Sequence, residues 1–389
     1  MNTPSPLALP TGFRAIVTNI GIKDTTDDLV IVAADNPVSA AGVFTQNRFV
    51  GPSVTVSREH LSDRRAAAMV IISKNANVAN GETGMADAQE VVRLSARQAG
   101  CAEPDVLIAS TGVIGRPYPM DRIRSGFDGL SSVEWNADLA DVARGIMTTD
   151  TVEKTSSATI DGSNAIVAGV AKGVGMLEPN MATMISLVLT DADVAPDDLD
   201  TIFRRVADKS FNCVSVDGDT STSDTAVVLA SGSAGSVSLE AFERALERVC
   251  IDLARQIAAD GEGAETLIEV LVDGARDDDQ ARRVAKSIVN SPLVKTAVHG
   301  ADPNWGRIAM AVGNVHDGDI DQNRVTIRIG SEELFPHQVS EQELEELSAY
   351  LRRDEVLIHV SLGIKNGTAR VWGCDLTDGY VRINADYTT

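Results

Sequence analysis

Short apolar runs recur along the chain at 29–33, 67–72, 106–109, 184–189 and 226–229, each bounded by Gly, Asn, Asp or Ser. Runs this short with turn-forming flanks predict buried strands, because a helix needs a longer periodic stretch to close an apolar face. After Pro196 the period changes: Leu199, Ile202, Phe203 and Val206 follow the i, i+3, i+4, i+7 rule. Asp197 and Asp198 favour the positive start of that helix. A longer helix is predicted over 239–259, with Phe242, Leu246, Val249, Leu253 and Ile257 on one face and Gly261 as its stop. The acidic stretch 273–279 reads as a solvated domain boundary with Asp279 as an N-cap, before a helix marked by Ala281, Val284 and Ile288. Another helix (Leu344, Leu347, Leu351) and two strands, 356–362 and 369–372, follow it. Strands and helices mix without strict alternation, which predicts layered α/β or α+β packing rather than a Rossmann sheet or a TIM barrel.

At 389 residues the chain is long enough for two or three structural units, and 43% hydrophobic residues with 23% charged ones suit a folded protein. The net charge of -22 repels nucleic acids and anionic membranes, leaving small metabolites or other proteins as partners. Cys101, Cys213, Cys250 and Cys374 are scattered without a Cys-x-x-Cys, so neither a zinc ribbon nor a disulfide framework is legible. The first residues carry no basic n-region, and no segment approaches ~18 uninterrupted apolar residues. The expectation is a cytosolic protein, neither exported by this route nor membrane-spanning.

The candidate chemistry lies in 172–191, KGVGMLEPNMATMISLVLTD, a glycine-rich loop and a Pro-Asn turn leading to Ala182-Thr183 and an apolar strand. A β-branched Thr commonly just begins a strand. A Thr after a small residue at the end of a glycine loop can also attack its own preceding carbonyl and release itself as a new amino terminus. The freed α-amine, with a pKa of ~7.7–8, would then serve as base for the Thr183 hydroxyl. Acyl transfer also needs donors for a developing oxyanion. Thr111 and Gly112 in ASTGVIG (109–115), expected in a turn just after the strand 105–108, supply a hydroxyl and an N–H. An ordinary Ser-Thr-Gly turn is the competing reading.

These residues resemble the ornithine acetyltransferases of the ArgJ type, also called glutamate N-acetyltransferases, which are self-cleaving amino-terminal nucleophile enzymes. The resemblance rests on PNMATM (179–184) with Lys172-Gly173 and Gly175-Met176, and on STGVIG (110–115), MTTDT (147–151) and SFN (210–212). VDGDTST (216–222), DGEGA (260–264), DPNWGR (302–307) and NADYTT (384–389) extend it over nearly the whole chain. It implies Thr183 as nucleophile, cleavage between Ala182 and Thr183, and an oxyanion hole from Thr111 and Gly112. Thr148, Lys172, Thr183, Glu262, Asn384 and Thr389 become substrate contacts. Lys172 suits an α-carboxylate and Glu262 the side-chain ammonium of ornithine. Val174 and Glu178 depart from the usual pattern, as does Glu265, which follows Ala264 where Thr-Lys is expected.

The resemblance further implies an αββα-type sandwich of the ornithine acetyltransferase/DmpA kind with an additional C-terminal α/β domain. Residues 1–182 and 183–389 would form the α and β chains, 183–279 completing the sandwich and 280–389 the C-terminal domain, assembled as α2β2 or larger. The implied reaction moves acetyl from N2-acetyl-L-ornithine to L-glutamate, releasing L-ornithine, through acetyl-Thr183, with no ATP, metal or other cofactor. Rival readings are a bifunctional enzyme that also uses acetyl-CoA, a related aminopeptidase or amidohydrolase, and an uncut binding protein.

Other motifs carry less. Gly173-x-Gly175 lacks a third glycine, and no GxxxxGK[ST] occurs. Asp217, Asp219 and Asp224 lack the glycine and glutamate spacing of an EF-hand and read as a polar turn. His60, His299, His316, His337 and His359 are scattered, and only His299 adjoins a motif, where a structural role is expected.

Overall fold

A computed structural model describes residues 8–178, 184–337 and 339–386. Its first sheet has eight strands among the described residues: β1 (Phe13–Thr18), β2 (Leu29–Phe44), β3 (Arg65–Asn75), β4 (Val106–Val113), β5 (Lys154–Thr159), β6 (Ile166–Lys172), β7 (Ile185–Asp193) and β8 (Thr225–Ser236). The order is β4-β3-β2-β8-β7-β6-β5, with β1 also paired to β2. All five apolar runs read as strands lie in this sheet. Positions 66–73 of β3 are buried without alternation, so both faces of that strand are covered.

The long strand β2 makes two layers from one sheet. Its first half, 29–34, pairs with β1 and β3; its second half, 39–44, pairs with β8, and the register shifts between Ala33 and Val38. Val30, Val32, Met69 and Ile71 from one half then share a core with Val170, Leu187 and Val227 from the other. Outside the first layer pack α1 (Pro52–His60), α2 (Gly81–Ala99) and α3 (Met120–Gly129). The shorter α4 (Leu139–Ile146) joins the inner core, entered through a capping box of Asp138 and Asp141. Outside the second layer lie α5 (Pro196–Lys209) and α6 (Leu239–Ala259). The fold is therefore α/β, an αββα sandwich.

The second sheet comprises β9 (Leu267–Ala275), β10 (Thr326–Ile329), β11 (Glu332–Phe335), β12 (Glu355–Ser361) and β13 (Gly367–Cys374), in the order β11-β10-β12-β9-β13. Around it stand α7 (Asp278–Val289), α8 (Pro292–His299), α9 (Trp305–Gly313) and α10 (Glu341–Leu351), while α11 (Asp378–Asp386) lies against the turn at Glu262 and Gly263. Two expectations are corrected here. The acidic stretch 273–279 is no boundary, because β9 already belongs to this sheet and pairs with β12 and β13, so the second unit begins upstream of 280. The cap of α7 is Asp277, whose side chain accepts the N–H of Gln280, rather than Asp279. Helix α6 has the predicted bounds and packs on β5 and β6 as well as on β9 and β13, joining the two sheets through a continuous core. Among the described residues no helix is long and apolar enough to cross a membrane.

Candidate active site

Ala182, Thr183 and Thr389 lie outside the described residues. The other six residues singled out from the sequence, Thr111, Gly112, Thr148, Lys172, Glu262 and Asn384, all line one cleft. They come from widely separated parts of the chain, so the fold, and no local motif, brings them together.

Thr111 and Gly112 lie inside β4, not in a turn beyond it, because parallel pairing with β3 continues through Ser73–Thr111 and Lys74–Gly112. Gly112 has φ +135°, and a Cβ there would stand 2.1 Å from the carbonyl carbon of Lys74. Only glycine fits that close approach. Thr111 is buried, its neighbour partly so.

Lys172 is likewise on a strand rather than in the glycine loop. It ends β6 and pairs with Ile185 at the start of β7, which places it beside the chain leaving Thr183. It is only 2% exposed, against the usual surface position of a lysine. Among the described residues its one charged contact is Asp150 Oδ2 at 3.6 Å.

Asp150 is the centre of a buried network that sequence reading missed. Its Oδ1 accepts from Lys154 Nζ at 2.8 Å and from the N–H of Gly173 at 2.7 Å, while Oδ2 accepts the N–H of Thr148 at 3.0 Å. Lys154, wholly buried, also reaches Asp260 Oδ2 at 2.5 Å. Asp260 in turn accepts the N–H of Thr151 at 3.1 Å and is bonded by the Thr151 hydroxyl. Burial opposes ionisation of Asp150, but Lys172, Lys154 and the Thr148 N–H outweigh it and hold the carboxyl well below the ordinary carboxylate range. The signal was present in MTTDT, where only Thr148 was singled out.

Glu262 follows α6 in a turn, its N–H donating to Val174 O at 2.8 Å. Asn384 on α11 donates through Nδ2 to Glu262 Oε2 at 2.9 Å, and to Tyr380 O at 3.1 Å. The carboxylate lies close over Gly175, where a Cβ would come within 2.5 Å of Glu262 Oε2 and push the carboxylate aside. Burial, with Asp217 and Glu262 nearby, pushes the Tyr380 phenol up to about 12. Glu178 accepts from Asn290 Nδ2 at 2.9 Å and is bonded by the Ser215 hydroxyl. His299 Nδ1 lies 3.1 Å from Asp375 Oδ2 and 3.8 Å from Glu265 Oε2.

The family model of the ArgJ family matches residues 14–389. The chain belongs to the ArgJ family. Its relatives include the arginine biosynthesis bifunctional protein ArgJ 2 of a Nostoc species, 53% identical, and the glutamate N-acetyltransferase Oat2 of Streptomyces clavuligerus, 50% identical, each alignment covering 98% of both proteins. A solved structure of the arginine biosynthesis bifunctional protein ArgJ from Bacillus halodurans is 46% identical, with a TM-score of 0.49 over 52% of this chain and 98% of that one. As a member of the ArgJ family the protein is an acyltransferase. Asp217 and Asp224, in the DGDTSTSD segment expected as a polar turn, hold backbone groups of the segment that precedes β7. Asp217 accepts the N–H groups of Met176 and Leu177 at 2.6 and 2.7 Å, and Asp224 that of Met184 at 3.0 Å.

Proposed function

We propose that this enzyme is a glutamate N-acetyltransferase that moves acetyl from N2-acetyl-L-ornithine to L-glutamate, releasing L-ornithine, in arginine biosynthesis. The observation that carries this reading is the single cleft that combines an oxyanion-type donor pair, a buried ammonium and a carboxylate. Autoproteolysis comes first: Thr183 Oγ attacks the Ala182 carbonyl, the Ala182–Thr183 C–N bond breaks, and water hydrolyses the resulting ester. The products are an α chain of residues 1–182 and a β chain of residues 183–389 with a free Thr183 amine.

In the first half-reaction that amine takes the hydroxyl proton while Oγ attacks the acetyl carbonyl of the donor. Thr111 hydroxyl and Gly112 N–H stabilise the oxyanion, the C–N bond breaks, and ornithine leaves with the proton on its nitrogen. Glutamate then attacks acetyl-Thr183 through its own amine and returns a proton to Oγ. One amide replaces a similar one, so no ATP, metal or other cofactor is needed. Lys172 binds the α-carboxylate common to both substrates, Glu262 held by Asn384 binds the distal ammonium of ornithine, and Thr148 and Thr389 complete the contacts. Within the β chain, residues 183 to about 266 complete the sandwich and the remainder forms a C-terminal domain. The cut chains assemble as α2β2 or larger in the cytoplasm.

Intact-mass analysis of wild type and Thr183→Ala tests the cleavage, with two pieces expected from the first and one from the second. An uncut wild type that transfers acetyl at full rate would exclude Thr183 as an amino-terminal nucleophile. Relatives named bifunctional favour a second reading in which acetyl-CoA also serves as donor. Assays with acetyl-CoA, and with acetylornithine in the absence of glutamate, separate this and hydrolysis from simple transfer.

A further inference from the structure

Two aspartates without a role in the reaction above grip the segment that carries Thr183. At its upstream end Asp217 accepts Met176 N–H on Oδ2 and Leu177 N–H on Oδ1, and Leu177 O accepts the N–H of Val216 at 2.7 Å. At its downstream end Asp224 Oδ1 accepts Met184 N–H, and Met184 O accepts the N–H of Thr225 at 3.0 Å. Each end is thus held by one aspartate and one backbone bond, and all four partners come from the stretch 216–225.

That stretch is itself fastened to the loop after β2. Thr45 donates its N–H to Asp224 O at 3.1 Å and its hydroxyl to Ser221 O at 2.6 Å. Asn47 Nδ2 reaches Thr220 O at 2.8 Å, and Gly51 N–H reaches Thr222 O at 2.9 Å. Asp224 is completely buried, and its Oδ2 has no hydrogen-bond partner among the described residues. Burial accordingly drives its carboxyl well above the ordinary range, toward the neutral form. Both carboxylate oxygens of Asp217, and Oδ1 of Asp224, are turned to backbone N–H donors.

Met184 N–H belongs to the peptide bond that follows Thr183, so its nitrogen is two covalent bonds from the Thr183 Cα. We propose that Asp217 and Asp224 are positioning residues that clamp both ends of the 177–184 segment and thereby set the reach of Thr183 toward the carbonyl it attacks. This rests on Thr183 as nucleophile. Attack within one chain depends steeply on geometry, and a displacement of about 1 Å can cost about 10²-fold in rate.

Hydrogen exchange in the uncut, full-length Thr183→Ala protein tests the clamp without any cleavage. The amides of Met176 and Leu177 should be protected and exchange at least about 10-fold faster on adding Asp217→Ala, and Met184 likewise on adding Asp224→Ala. In the Thr183 protein both substitutions should slow self-cleavage by about 10- to 100-fold, leaving KM for acetylornithine and glutamate within about twofold in the cleaved fraction. Asp224→Asn keeps the acceptor and the shape, and should cleave within about threefold of wild type, which keeps the idea open to refutation should Asp224→Ala not fold. Unchanged protection and cleavage in Asp217→Ala would overturn the clamp, as would a folded Asp224→Asn protein unable to cleave. A wild type that never cleaves but shows the protected amides would overturn the nucleophile assignment and leave the clamp intact.

Discussion

Lys172 Nζ stands 3.6 Å from Asp150 Oδ2, close enough for Coulomb attraction and too far for a hydrogen bond. Asp150 meanwhile accepts hydrogen bonds from Lys154, Gly173 and Thr148. The arrangement places Lys172 in a buried position where its Nζ makes no hydrogen bond among the described residues. Lys172→Met should therefore weaken acetylornithine and glutamate alike, by the ~1.5–3 kcal/mol of a charge-assisted hydrogen bond. Steady-state kinetics on precleaved protein measures it. A loss confined to one substrate would remove Lys172 from their common carboxylate.

Asp150 also gives an acid-stability prediction. Its folded carboxyl ionises below the ordinary value of ~3.9, so between those two points the unfolded chain binds more protons. The stabilisation is complete above about pH 4 and is lost as pH falls through the folded value. Denaturant midpoints from pH 6 down to pH 2 should fall steeply for wild type and less steeply for Asp150→Asn. The variant should be the less stable at pH 7, where breaking a buried ion pair costs about 3–5 kcal/mol.

At the other end of the charge scale, Asp224 is held toward its neutral form by burial. A carboxyl with a raised folded pKa contributes stability at low pH that is lost as pH rises above the unfolded value of ~3.9. Asp224→Asn, which has no proton to lose, should be more stable than wild type at pH 8, with the difference shrinking toward pH 4. Thermal melts across that range check the sign.

Thr111→Ala should cut kcat by ~10²–10³ with little change in folding, the usual cost of one oxyanion donor. Gly112→Ala should behave differently and fail to fold or cleave, because its methyl would overlap the Lys74 carbonyl in the neighbouring strand. Equal kcat in cleaved wild type and Thr111→Ala would exclude the hydroxyl.

Glu262→Gln should lower kcat/KM for acetylornithine more than for glutamate, since ornithine alone carries the distal cation. Asn384 occupies Glu262 Oε2 and leaves the carboxylate's remaining capacity for substrate. Gly175→Ala should reproduce part of the loss by pressing on the same carboxylate. Equal losses for both substrates in Glu262→Gln would end this assignment.

Much of this was legible because it is local. Apolar runs located β3, β4, β7 and β8, and the 3.6-residue period gave α6 its bounds. The error at 273–279 has the same origin: an acidic run shows exposure, but the membership of β9 in the second sheet depends on β12 and β13, some eighty to a hundred residues later. The cleft residues came from motif resemblance, and the cleft gathers six of them. Asp150, Lys154 and Asp260 stayed hidden because charged residues are ordinarily exposed, and only the folded chain shows these three compensating one another.

The strand order has a consequence for how such an enzyme is made. Strands β7 and β8 lie between β2 and β6, so a cut at Ala182–Thr183 leaves the central pair of the sheet in one piece and its flanks in the other. Either fragment alone would present two bare strand edges, the usual start of aggregation. On the proposed cleavage, the nick would have to follow folding, and the two halves should copurify as one particle that separate expression and mixing cannot rebuild.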